Sequence, residues 1–140
     1  MNMTSILSRK ALAILVAGAG MLASAAFAHH STRGIYDEEH ELELHAKVLD
    51  WRFINPHPYL VVEAEGPDGQ MHEWDVSYGG AAVVHLRRQG YTEDTFKAGD
   101  QIIVRGNPAR AEGVYGVLIE GNRHPTKADG SPIVGGGSMF

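Results

Sequence analysis

The chain has 140 residues, a formal net charge of −5 and no cysteine. That length predicts one domain, and the missing cysteines exclude disulfides, thiolate metal sites, a cysteine nucleophile and a lipid-modified amino-terminal cysteine. With 17 acidic against 12 basic residues and no basic stripe, the composition argues against a nucleic-acid partner.

The first segment reads as an export signal. Arg9 and Lys10 form a basic start, Ala11 to Leu22 is an apolar run, and Ala26-Phe27-Ala28 has the small-x-small pattern that a signal peptidase cuts. The run is too short for a membrane-spanning helix, which needs about 20 residues. Residues 1–28 are therefore expected to be a signal peptide cleaved after Ala28, with a periplasmic mature protein that keeps no stable membrane anchor. Ala23-Ser24-Ala25 offers a second cut. Residues 29–40 are expected to be a flexible mature amino terminus, running into the acidic stretch Asp37 to Glu43.

From Glu41 to Trp51 the apolar residues alternate. Leu42, Leu44, Ala46 and Val48 share one face, with Glu41, Glu43, His45 and Lys47 on the other, which is the period of a half-buried strand. Pro56 and Pro58 interrupt it, because proline removes ladder donors. Tyr59 to Glu65 resumes as a second strand, Gly66-Pro67-Asp68-Gly69 is a turn, and Gln70 to Val76 is a third strand. Gly79 and Gly80 break the pattern. Ala81 to Gln89 reads as a helix with Val83, Val84 and Leu86 on its buried side, ended by Gly90. Gln101 to Arg105 and Tyr115 to Glu120 are the last strands, separated by a loop over residues 106–113. The tail over residues 123–140 has the run Gly135-Gly136-Gly137 and few large apolar residues, so it is expected to be disordered.

The order β-β-β-α-β-β over residues 41–122 is that of an all-β, five-stranded OB-like barrel with one short helix. A β-sandwich would want about seven strands. Closure also removes the exposed edges of so small a sheet.

The residues most able to carry chemistry are histidines. Cleavage after Ala28 would leave His29 first, with an α-amine and a ring nitrogen that chelate a metal together. A second imidazole from His30 or His57 would complete a nitrogen-rich site that suits Cu(II). His57 lies between two prolines that would hold its loop rigid. Against this stand two plainer readings, a solvated terminus that binds metal adventitiously and a structural turn around His57. His45 and His72 are expected at exposed strand positions. Trp51, Tyr59 and Trp74 could form an aromatic patch or simply pack in the core. Glu63, Glu65, Glu73 and Asp75 fall on a charged outer face rather than in a cleft. The sequence has no G-x-S-x-G elbow, no H-E-x-x-H and no glycine-rich phosphate loop, so no catalytic residue is assigned.

Several stretches in order resemble a family of small exported bacterial proteins known only as a domain of unknown function. They are Ala28-His29-His30-Ser31 with Tyr36-Asp37, Trp51 with Asn55-Pro56-His57, Gly69, Trp74, Gly90-Tyr91-Thr92, Phe96-Lys97-Ala98-Gly99-Asp100 and Gly106-Asn107-Pro108-Ala109-Arg110. Ala46 departs from the glycine expected in the first strand. The resemblance implies export and no activity. Three functions stay open. The first is a non-enzymatic periplasmic binding or accessory module for a small molecule or envelope protein. The second is a copper-binding protein using His29 with His30 or His57, and the third a copper-dependent redox enzyme using the same ligands.

Overall fold

A long first strand sets the architecture. In the computed structural model, which describes residues 34–121 and 123–134, β1 (Leu42–Arg52) buries Leu44, Ala46 and Val48 while Glu43 and His45 face solvent. Its eleven residues serve two partners. The first half, Leu42 to Lys47, pairs antiparallel with β4 (Gln101–Pro108), and Ala46 to Arg52 pairs antiparallel with β2 (Tyr59–Glu65). An irregularity between Val48 and Asp50 lets the strand bend from one partner to the other. At this bend Val48 exchanges backbone bonds with Gly99 and Asp100 instead.

β2 turns at Gly66–Gln70 into β3 (Met71–Ser77), and the Gly66 amide donates to the Gln70 carbonyl at 2.7 Å. β3 then pairs parallel with β5 (Gly116–Leu118), which pairs antiparallel with the end of β4. The circuit β1-β2-β3-β5-β4-β1 is closed, a five-stranded OB-like barrel. A parallel pair needs a long crossover, and the chain between β3 and β4 holds the short helix α1 (Val83–Arg88).

α1 buries Val83 and Leu86, three residues apart on one face, whereas Val84 is 51% exposed. The expected burial of Val84 is therefore corrected: one helical position rotates it by about 100°, out of the stripe. Trp51 does not join Trp74 in one patch. It packs against Phe53, Tyr78, Tyr91 and Phe96, with ring centroids 5.1–6.1 Å away, and its indole N–H donates to the Thr92 carbonyl. Trp74 meets Tyr115 instead, and Tyr59 lies under the Arg52 guanidinium.

Two segments expected to be loose are fastened. Within the expected flexible stretch 29–40, Tyr36 bridges to Ala109 and the Asp37 amide donates to the Pro108 carbonyl. Asn107, 5% exposed, donates its amide to the carbonyls of Asp37 and His40 at 3.1 and 2.7 Å and accepts from Arg123 at 2.9 Å. One buried amide thus ties the amino-terminal arm to β4 and Arg123. The tail expected to be disordered from residue 123 forms β6 (Thr126–Lys127) on Ile102 and Ile103 of β4, with Pro125 buried and Ile133 and Val134 packed on the core. The glycine-rich composition belongs to residues 135–140. These lie outside the described residues, as does the predicted signal peptide. The predicted loop 106–113 also shortens, since β4 continues to Pro108.

Candidate functional site

The turn between β2 and β3 and the loop between β4 and β5 meet at one end of the barrel. Gly66 allows the approach, because a Cβ there would lie 2.7 Å from His72 Cδ2 and 3.0 Å from Tyr115 Cε1. Asp68 organises the turn by accepting from the Gln70 amide at 3.1 Å and from His72 Nε2 at 2.8 Å. The Gln70 amide, then the His72 ring, hold the Asp68 carboxyl below its ordinary value. The His72 ring lies flat on Tyr115, with centroids 3.8 Å apart and planes 12° from parallel. Tyr115 in turn meets Trp74 edge-on at 5.2 Å. Trp74 is 3% exposed and fixed by its indole N–H to the Ala64 carbonyl. Partial burial, then the Asp68 charge, raises the Tyr115 phenol.

Of these rings, Tyr115 and Trp74 line a groove of about 550 Å³, whose apolar lining also includes Leu42, Pro67, Pro108 and Val114. Its charged groups are Asp68, Arg110 and Glu112. Arg110 donates to the Tyr36 carbonyl at 2.9 Å and lies 3.4 Å from the Asp37 carboxylate, so the amino-terminal arm braces the loop. An apolar concavity with aromatic walls and a few polar edges suits a compact organic ligand. The size is also in the range of small-molecule sites, about 300–1,000 Å³.

Acid should loosen this end. Depressed folded-state values at Asp68 and Asp37, the latter lowered chiefly by His40, contribute stability that is present above the unfolded value of 3.8 and lost as pH falls through the folded value. We expect Asp68→Asn to flatten the acid limb of stability between about pH 5 and pH 2, measured by urea unfolding at a series of pH values. An unchanged limb would show that the turn network carries no linked proton.

The predicted metal ligands are not gathered by the described residues. His57 is exposed in the loop after β1, beside the buried Pro58, and its ring has no hydrogen bond among the described residues. It does not line the groove. His29 and His30 lie outside the described residues. Among those described, no group of three or more His, Asp or Glu side chains is placed to hold a metal ion. His45 is exposed beside Glu43, as expected, but His72 is half-buried in the stack with Tyr115. Glu73 and Asp75 face solvent, and Glu63 is paired with Lys47.

Sequence reasoning missed Asp68, Tyr115 and Arg110 as groove residues, and His72 as the ring stacked on Tyr115. The Gly66-Pro67-Asp68-Gly69 signal marked the turn, but only the parallel pairing of β3 with β5 brings Tyr115 to it. No curated protein and no solved structure matches the chain. Residues 18–118 match a family of unknown function, DUF6152. That match covers most of the chain and nearly the whole closed barrel, so the protein belongs to the DUF6152 family.

Proposed function

We propose that the protein is an exported, periplasmic, non-enzymatic binding module, and that its ligand sits in the groove under the β4–β5 loop. The observation that carries this reading is the Tyr115–Trp74 wall of a groove of about 550 Å³, with His72 stacked on Tyr115. Two of the three charged groups there have structural duties, Asp68 in the turn and Arg110 on the arm, which favours holding a ligand over transforming one. A library of aromatic and cyclic fragments, titrated against the amide spectrum, tests it. Shifts should cluster at Val114, Tyr115 and the Trp74 indole, and Tyr115→Ala should weaken the best fragment about tenfold, the worth of one aromatic contact of roughly 1.4 kcal/mol. Shifts clustered away from the groove would sink the reading.

A copper-binding role is the second reading, favoured by the exposed, unbonded ring of His57. His29 would chelate through its amine and ring, with His30 or His57 completing the site. Deprotonation of the amine, of ordinary value about 7.7, would make affinity climb with pH. Intact mass of exported protein should start at His29, and His29→Ala should abolish Cu(II) binding tighter than micromolar. Equal affinity in the variant removes copper, and with it the redox-enzyme alternative.

A further inference from the structure

The first half of β3 has no strand on its outer edge. The Gly66 amide donates to the Gln70 carbonyl, and antiparallel ladders bond every second pair. His72, Trp74 and Val76 therefore bond to β2, while Met71, Glu73, Asp75 and Ser77 turn their amides and carbonyls the other way. At the far end β5 takes these groups up. The Asp75 amide donates to the Tyr115 carbonyl at 2.9 Å, and the Ser77 carbonyl accepts from the Ile119 amide at 2.8 Å. The ladder stops there, since the parallel register covers only Asp75 to Ser77. Before Tyr115 the chain turns back on itself, with the Val114 amide donating to the Ala111 carbonyl at 3.2 Å. Among the described residues nothing pairs on this side with the backbone of Met71 and Glu73, and both residues are exposed.

The two faces of β3 differ in chemistry. On the inner face Trp74 and Tyr115 line the groove. On the outer face stand Glu73 and Asp75 of β3 and Glu65 of β2, all exposed and without an ion pair among the described residues. Glu63 lies directly opposite Glu73, and its partner Lys47 offsets only one of the two charges. Like charges on facing strands are destabilising, so this face holds negative charge that a basic neighbour would relieve. Glu112 adds another carboxylate at the groove.

We propose that the open edge of β3 accepts an extended segment of a partner protein as an added strand, one in which apolar side chains alternate with lysine or arginine. In strand addition the main-chain bonds supply affinity and pockets for alternate side chains supply specificity. Side chains on the inner face enter the groove beside Trp74 and Tyr115, and those on the outer face lie beside Glu73. The inference rests on the groove reading above and names its ligand class as a basic, extended peptide. A second copy of the chain fits less well, because it brings the same acids to the edge on a chain of net charge −5.

The probe is a short capped peptide of alternating lysine and leucine, titrated into the full chain. In the free protein the Met71 and Glu73 amides should exchange with solvent faster than the Asp75 amide. The peptide should slow them, and spectral shifts should reach Trp74 and Tyr115. Glu73→Gln, an exposed change, should weaken binding about threefold. N-methylation of the peptide separates strand addition from simple charge attraction. Methylating one alternate set, the lysines for an antiparallel strand or the leucines for a parallel one, should weaken binding about tenfold, and methylating the other set should leave it unchanged. Equal affinity of the two methylated peptides, or slow Met71 and Glu73 amides without peptide, would overturn the proposal. Self-association that protects the same amides would overturn it in favour of a second copy. If aromatic fragments bind at Tyr115 while the peptide leaves these amides unprotected, strand addition fails and the groove reading stands; loss of both removes the two together.

Discussion

Gly106→Ala is expected to destabilise the barrel by about 3 kcal/mol, at the upper end of typical overpacking costs. A Cβ at this position would lie 2.3 Å from the Leu118 carbonyl oxygen and 2.8 Å from Val117 Cγ2. The nearest obstacle is backbone, so no side-chain rotation relieves it. β4 and β5 would have to separate at the pairs that close the circuit, Asn107 with Leu118 and Pro108 with Val117. Gly80→Ala is the control: nothing lies within 4 Å of its Cβ, and the change should stay within about 0.5 kcal/mol of the parent. Urea unfolding followed by tryptophan fluorescence reads both. Equal midpoints for the two variants would mean that the β4–β5 approach is not what limits the barrel.

Trp74→Ala should cost more, about 4 kcal/mol, as expected for removing a fully packed indole from a core. The side chain is 3% exposed, meets Tyr115 edge-on and gives its N–H to the Ala64 carbonyl. Trp74→Phe keeps a ring for Tyr115 but leaves that carbonyl without its donor, and should cost roughly half as much. The pair separates packing from the hydrogen bond. If the phenylalanine variant is as unstable as the alanine one, the indole N–H carries more than packing does. Because Trp74 also lines the groove, fragment binding should survive Trp74→Phe better than Trp74→Ala in protein that remains folded.

The candidate groove was only half legible beforehand. Trp74 shares a strand face with Val76 and alternates with Glu73 and Asp75, so its burial follows from strand period. The partner face did not follow. Tyr115 opens the strand read over residues 115–120, and nothing local ties it to a histidine in another strand. The same holds for Asn107. In sequence it is an asparagine beside a proline, which suggests a turn. In the fold it is a buried clamp reaching Asp37, 70 residues away. His72 looked like a surface residue because a half-exposed strand end and an exposed one have the same pattern. The expected disorder from residue 123 does not hold for the described residues 123–134 for a related reason: composition averaged the glycines of the last residues with Pro125, Ile133 and Val134, which pack inward, and with Thr126 and Lys127, which pair with β4.

By itself the sequence determined the types and order of the barrel strands and the helix, and the barrel they build. Those depend on alternation, proline and glycine punctuation and helix period, all of which act over a few neighbouring residues. Only the tertiary structure decided which strand lies beside β5, where the amino-terminal arm and the β6 segment dock, and which aromatic rings share a wall. These outcomes depend on space and hydrogen-bond capacity left over once the barrel has closed, and no short window of sequence contains that information.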